Sequence, residues 1–470
     1  MHTLNGFISG AARRAGFLLL GAAAVTLVAC ADLTGTQPLP AGTADPATVK
    51  TAAGARAMAN TARAQFQFAL ATYLVESGLL TDELQATARG QATVGGVLDQ
   101  NVAVDARILP QQANAVYGTD VTYGTLQQTR AAAMQAIDAL NKYDRDSSAA
   151  ARGELYALEG YAEVMLADLF CSGVPLSALD FEADFTYKPS STTDQVYTHA
   201  MALFDTAAAL AGGDTAVGPL AKIGKARALL ALGRPAEAAA QVSGIPVKYS
   251  YTQSIWTCGS VAVSGCATQT GRAMLSIPPN ASMADAEGGN GMPYRSSNDP
   301  RTLSQNIGAV NGNTVWFPRK YRTNNASTIV VANGIEAQLI GAEAAVAAGD
   351  GAWLTTLNAL RTNGVLTGTT YGAGTGGVAN LPPLADPGSD SARVSLVFRE
   401  RAFWLFLSGK RQGDLRRLMR TYQRPSTTTF PSGSYASGSA YGASVDAPIP
   451  ISGSYSESPN PLFHGCLSRD

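Results

Sequence analysis

At 470 residues the chain is long enough to bury a sizeable core, and its 34 Lys and Arg against 35 Asp and Glu leave no net field to draw it to nucleic acid. Only 15% of residues are charged, and alanine runs such as AEAAVAAG point to closely packed helices, because Ala has the highest helix propensity. The 48 glycines gather in a few segments, which marks long loops and not general disorder.

In chain order, the first feature is the apolar run Phe17–Ala29, preceded by Arg13 and Arg14 and ended by Cys30. A basic front, a short hydrophobic run and small residues at its end make a secretory leader, too short to span a bilayer. Residues 27–30 read LVAC and resemble the lipobox of bacterial lipoproteins. That resemblance implies removal of residues 1–29 and a diacylglycerol on Cys30; an ordinary secretion signal with an unmodified Cys is the alternative. Acyl chains contribute about 0.8 kcal/mol per buried CH₂, so two or three hold a domain at a membrane. Residues 30–50 are polar and Pro/Gly-containing, as expected of a tether, and 51–470 are read as one domain.

From 51 to 243, apolar residues recur three and four apart, predicting helices over 51–77, 126–143, 150–170, 194–211, 217–232 and 235–242. The links between them are short (YDRDSS, AGGDTAVGP, LGRP), so antiparallel hairpins are expected. Two hairpins look alike: KARALLALGRPAEAAAQV (225–242) and GAEAAVAAGDGAWLTTLN (341–358). Setting Gly233 against Gly349 brings Ala226 opposite Ala342 and Ala228 opposite Ala344. Both resemble tetratricopeptide units, and the second predicts a hairpin over 334–363. The expected fold class is mainly α, with tetratricopeptide-like hairpins (α/α superhelical) interrupted by an irregular, loop-rich insertion at 244–333.

That insertion sets Tyr249, Tyr251, Trp256, Tyr294, Trp316, Phe317 and Tyr321 among Gly, Ser, Asn and Pro. Trp256, Tyr294 and Trp316 are the candidate ligand platforms. The same loops hold Asp285, Glu287 and Asp299, the residues a glycan hydrolase would need as a carboxylate pair across a cleft. DAEGGNG (285–291), however, reads as a solvated turn, and Asp299 before Pro300 reads as a turn cap. No catalytic residue is assigned. If the chain is exported, Cys258 and Cys266, flanking a short Gly-bounded loop, are expected to bridge, leaving Cys171 to pair with Cys466. A zinc site is the alternative, but the chain has only His2, His199 and His464 and no CxxC, so no metal is assigned.

A last long helix is predicted over 391–422. Its first half is apolar and its second basic, with Arg411 on the apolar stripe and Asp414 three residues on; this predicts a structural Arg411–Asp414 ion pair. ERAFWLFLSGKRQGDLRRL (400–418) resembles the C-terminal signature of the SusD/RagB family at Glu400, Arg401, Leu405, Gly409, Arg411, Asp414, Leu415 and Arg417. Trp404 and Ser408 stand where that signature has Glu, and Leu407 where it has Phe, which predicts a reduced ion-pair network. LYALEGYAEVMLADLFCSGVPL (155–176), SNDPR (297–301), the EAQLIGAEAAVAAGD helix with LNALR, and PIPISGSYSESPNPLF (448–463) resemble other pieces of the family in the right order. The resemblance implies an outer-membrane surface lipoprotein without cofactor. Such a protein binds a nutrient, oligosaccharide or peptide, and delivers it uncatalysed to a SusC-like TonB-dependent transporter. A secreted hydrolase on a helical scaffold and a structural tetratricopeptide-like envelope lipoprotein are the competing expectations.

Overall fold

Thr51 starts the helical array, its side chain accepting the Gly54 N–H at the head of α1 (Ala52–Leu80). In the computed structural model the described residues are 46–87, 93–94, 97–98, 100–107, 119–182, 184–257, 274–275, 281–310, 312–321, 326–364, 380–435, 441 and 460–468. The chain divides into two compact units, Met1–Val49 and Lys50–Asp470. In the first the described residues form one short helix, Pro46–Val49. In the second, α1 is followed by α2 (Thr119–Tyr143), α3 (Ala149–Leu169), α4 (Thr193–Ala211), α5 (Val217–Ala231) and α6 (Pro235–Val242). Thr192 and Gln195 form a reciprocal capping box at α4, and Pro235 opens α6, where its missing N–H is no loss. No described helix is long and apolar enough to cross a membrane.

The two hairpins that look alike in sequence are alike in structure. Gly233 and Gly349 both take a left-handed backbone, φ 71° and 70°, which only Gly adopts freely. The hydrogen bonds repeat residue for residue. Gly233 N–H donates to Leu230 and Arg234 N–H to Leu229; Gly349 N–H donates to Val346 and Asp350 N–H to Ala345. These turns join α5 to α6 and α7 (Gly334–Ala347) to α8 (Ala352–Asn363). The aligned alanines Ala226, Ala342, Ala228 and Ala344 are all buried, as close helix contact requires.

The insertion contains more strand than expected. β1 (Leu84–Ala86) pairs antiparallel with β3 (Ala281–Met283), and β4 (Ser304–Val310) forms a hairpin with β5 (Asn313–Pro318). β2 (Ser250–Thr257) pairs antiparallel with β6 (Ala326–Asn333), Trp256 opposite Ala326, and parallel with Met274–Leu275. One apolar core joins α1–α6 to the insertion; a second lies among α7, α8 and the last helices.

The single helix expected over 391–422 is two, α9 (Asp390–Trp404) and α10 (Arg411–Arg420). Leu407 and Gly409 between them have φ of 45° and 72°, and a Cβ on Gly409 would lie 2.7 Å from the Tyr73 ring. The backbone freed by this break is bonded from distant parts of the chain. Leu407 N–H donates to Glu83 (2.7 Å), the Tyr73 hydroxyl to the Gly409 carbonyl (3.2 Å), and the Tyr321 hydroxyl to the Leu407 carbonyl. The Lys320 ammonium reaches the Phe406 carbonyl, and Lys410 reaches Val330 and Ser408.

Burial raises the pKa of Glu83 to about 8 and lowers that of Lys320 to about 8. Between 4.5 and about 8 the folded chain therefore holds a Glu83 proton that the unfolded chain releases. Its stabilisation is complete below 4.5 and is lost as pH rises towards 8. Glu159, also raised to about 8 by burial, acts in the same direction. Glu83→Gln is expected to flatten part of the fall in the urea midpoint across that window, read by circular dichroism; an unchanged slope would show that Glu83 ionises freely.

Arg411 and Asp414 do not pair with each other. Arg411 reaches from the first turn of α10 to the end of α1, donating Nε and one terminal nitrogen to the two Asp82 oxygens at 2.7 Å each. Met292 N–H completes Asp82 at 2.8 Å. Such a fork makes two charge-assisted bonds, whereas an i,i+3 pair on a helix is worth only a few tenths of a kcal/mol. Asp414 instead accepts from Arg401 (2.9 and 2.8 Å) and Arg417 (2.8 Å), and Arg417 forks onto Glu343 of α7 (2.8 Å twice). Two cations and two anions thus form a neutral buried quartet. Beside it Glu400 takes Arg301 and Arg361. The network expected to be reduced is dense, and it clamps α7, α9 and α10 together.

Candidate ligand cleft

Tyr294 and Trp316, the two candidate platforms whose side chains are described, do not form a common open face. Tyr294 is fully buried against Phe403 and Phe406 (ring centroids 5.5 and 4.6 Å), so it is core and cannot present a face to a ligand. Trp316 is half-buried on β5, its ring covered by the Arg295 guanidinium at 4.6 Å. Trp256 lies in β2, and its side chain falls outside the described residues, as do Cys30, Cys258 and Cys266. The loop carboxylates are engaged in structure. Asp285 accepts the N–H groups of Arg295 and Ser296, and Asp299 caps the Pro300–Thr302 turn through Arg301 N–H. Glu287, expected in a solvated turn, is buried and accepts the Tyr441 hydroxyl at 2.7 Å. Burial raises its pKa, and the nearby Asp105 carboxylate adds to the rise.

A cleft of about 280 Å³ lies elsewhere, between the first half of α2 and the segment after α3. Two small antiparallel ladders shape that segment. Val174–Pro175 pairs with Ser190–Ser191, and Ala178–Leu179 with Phe185–Thr186. Its base is fixed by a disulfide between Cys171 and Cys466 (Cα–Cα 5.7 Å), next to which Leu467 N–H donates to the Ser172 carbonyl. Asn460 joins from the same C-terminal segment, its amide nitrogen donating to the Lys188 carbonyl at 3.0 Å.

At the mouth stand Phe185 and Tyr187, 51% and 37% exposed, with ring centroids 4.7 Å apart. Large rings left this open are unusual unless something covers them. The floor is polar but internally bonded. Gln127 donates to the Tyr123 hydroxyl and the Pro175 carbonyl, both at 3.1 Å. Arg130 donates to Gln127 (2.8 Å), the Ser177 carbonyl (3.2 Å) and, through Nε, Glu163 (2.8 Å). On the far side of Glu163, His199 on α4 bonds its second oxygen at 2.7 Å, and this bond raises the His199 pKa. An apolar wall, two open rings and a few fixed polar groups suit a small ring-bearing ligand, at the lower end of usual pocket volumes.

The alternation Phe185–Thr186–Tyr187 was the available signal in sequence, since i and i+2 share one face of a strand. It became a site only through the 460–468 segment, whose position no local pattern gives.

Neither protein-family models nor curated protein sequences give a match to the chain. Solved structures do. A SusD homolog from Bacteroides thetaiotaomicron superposes with a TM-score of 0.60 at 14% identity, covering 90% of this chain and 99% of that one. Surface glycan-binding protein A from Bacteroides uniformis gives 0.59 at 15%, covering 88% and 99%. A SusD-like carbohydrate-binding protein from Bacteroides vulgatus gives 0.55 at 12%, covering 79% and 83%. The fold is that of SusD-like proteins, mainly helical with tetratricopeptide-like hairpins.

Proposed function

We propose that the chain is a non-catalytic surface lipoprotein, anchored to the outer membrane through Cys30 and a tether over residues 30–50. It captures a nutrient, an oligosaccharide in the first place and a peptide in the second, and passes it to a SusC-like TonB-dependent transporter. The observation that carries the reading is the open aromatic cleft at Phe185 and Tyr187 on a SusD-like fold. The leader and LVAC sequence support the anchor, and the structural engagement of Asp285, Glu287 and Asp299 speaks against their use in hydrolysis.

Two measurements test it. Cys30→Ser should leave an unlipidated precursor and move the protein out of the membrane fraction; unchanged mass and retention would reject the anchor. The exported protein, incubated with oligosaccharides and peptides, should bind without forming products. Tyr187→Ala should weaken binding about thirtyfold, the loss of roughly 2 kcal/mol typical of a hot-spot ring. Turnover abolished by Asp285→Asn or Glu287→Gln would replace this reading with the hydrolase.

A further inference from the structure

We infer that the Phe185–Tyr187 cleft is selective for uncharged sugar units over acidic ones, and that buried Glu163, which does not line the cleft, sets this preference by cancelling the charge of Arg130. The inference rests on the glycan-capture reading above.

Among the described residues, Arg130 is the only charged side chain lining the cleft. Its side chain is 3% exposed; Nε donates to Glu163, and one terminal nitrogen donates to Gln127 and the Ser177 carbonyl. A carboxylate or sulfate entering the cleft would have to compete with Glu163 for a guanidinium already paired at 2.8 Å, while losing its own hydration. Glu163 is itself 0% exposed, so solvent does not weaken the pair. Glu159, another acid near it, is buried and its pKa of about 8 keeps it largely protonated at neutral pH, so it adds little negative charge to the Arg130–Glu163 pair. In sequence Asp184 and Lys188 flank the two rings, both exposed and of opposite sign. The polar groups of Gln127 and Asn460 are likewise bonded within the protein. The unsatisfied feature is the pair of open rings, which gains most from the C–H face of a pyranose.

His199 makes Glu163 a common partner of two bases. Removing the Glu163 charge while keeping its shape therefore leaves Arg130 uncompensated at the cleft wall, the condition under which an acidic unit would be welcome.

The test uses the exported full chain and two sets of polymers in affinity electrophoresis at pH 7.5: neutral galactan, mannan, xyloglucan and laminarin, and acidic polygalacturonate, alginate and chondroitin sulfate. The expected result is retardation by at least one neutral polymer, abolished in Tyr187→Ala, and none by acidic polymers that depends on Tyr187. Glu163→Gln, with its fold checked by circular dichroism, should gain about tenfold in affinity for an acidic polymer. Acidic retardation of the wild type that disappears in Tyr187→Ala overturns the inference and leaves glycan capture standing. Retardation by nothing, or by polymers regardless of Tyr187, overturns the cleft as the glycan site, and the inference with it. A Glu163→Gln variant that folds but gains no affinity for any acidic polymer overturns the role given to Glu163; if it does not fold, Glu163→Asp, which draws the carboxylate back from Arg130, is read in the same way.

Discussion

Asp82→Ala is expected to destabilise the protein by about 3–5 kcal/mol, because it strands the buried Arg411 guanidinium without its counter-charge. Arg411 is 5% exposed and Asp82 1%, so water cannot take over either partner. Burial on its own would raise the Asp82 pKa, but the charge and hydrogen bonds of Arg411 outweigh it and hold the carboxyl below its usual range. The depressed pKa means that the pair's contribution is complete above the unfolded-state value of 3.8 and is lost as pH falls through the lower folded value. Urea denaturation of Asp82→Ala, Arg411→Met and the double variant separates the pair from the packing. The double variant should be the least damaged of the three, since an apolar replacement of both partners is often nearly neutral. Losses that simply add would show that the two side chains contribute independently.

Cys466→Ser should be at least as costly. The disulfide to Cys171 closes a loop with a sequence separation of 295, and in the chain-entropy picture such a loop is worth about 5–6 kcal/mol. The short loop proposed between Cys258 and Cys266 would be worth roughly 2–3 kcal/mol on the same basis. Denaturation midpoints should therefore order as wild type, Cys258→Ser, Cys466→Ser, and non-reducing peptide mapping should recover Cys171 joined to Cys466. The long-range bridge also holds the segment bearing Asn460 against the cleft. Ligand affinity should thus fall with Cys466→Ser and survive Cys258→Ser. The reverse order in stability would mean that the C-terminal segment is held by its packing and not by the bond.

The parts of this molecule that were legible in sequence are those governed by local rules. Helical periodicity placed α3, α4, α5 and α6 to within a residue or two, and the Gly233 and Gly349 turns were paired correctly because both need the same left-handed residue. The break between α9 and α10 was not legible. Leu407 takes a left-handed backbone with no sequence mark for it, and the bonds that stabilise it come from Glu83, Lys320 and Tyr321. Arg411 was read locally with Asp414, and a partner 329 residues away won. Tyr294 looked exposed because it lies in a loop rich in Gly, Ser, Asn and Pro, yet its neighbours in space are Phe403 and Phe406.

The six residues between α9 and α10 have a consequence for how the protein reaches its native state. Their bonds to Tyr73 and Glu83 span 336 and 324 residues, and those from Lys320 and Lys410 span 86 and 80. Contacts this remote require large loops to close before they give anything back, which slows folding. Until that closure, the carboxyl of Glu83 and the ammonium of Lys320 lack the Leu407 N–H and Phe406 carbonyl that they bond in the native state, and burying them is unfavourable. The interior therefore resists closing over an incomplete chain. A nascent or truncated molecule should stay open, exposed to proteases and chaperones, until the 405–410 segment arrives to seal it.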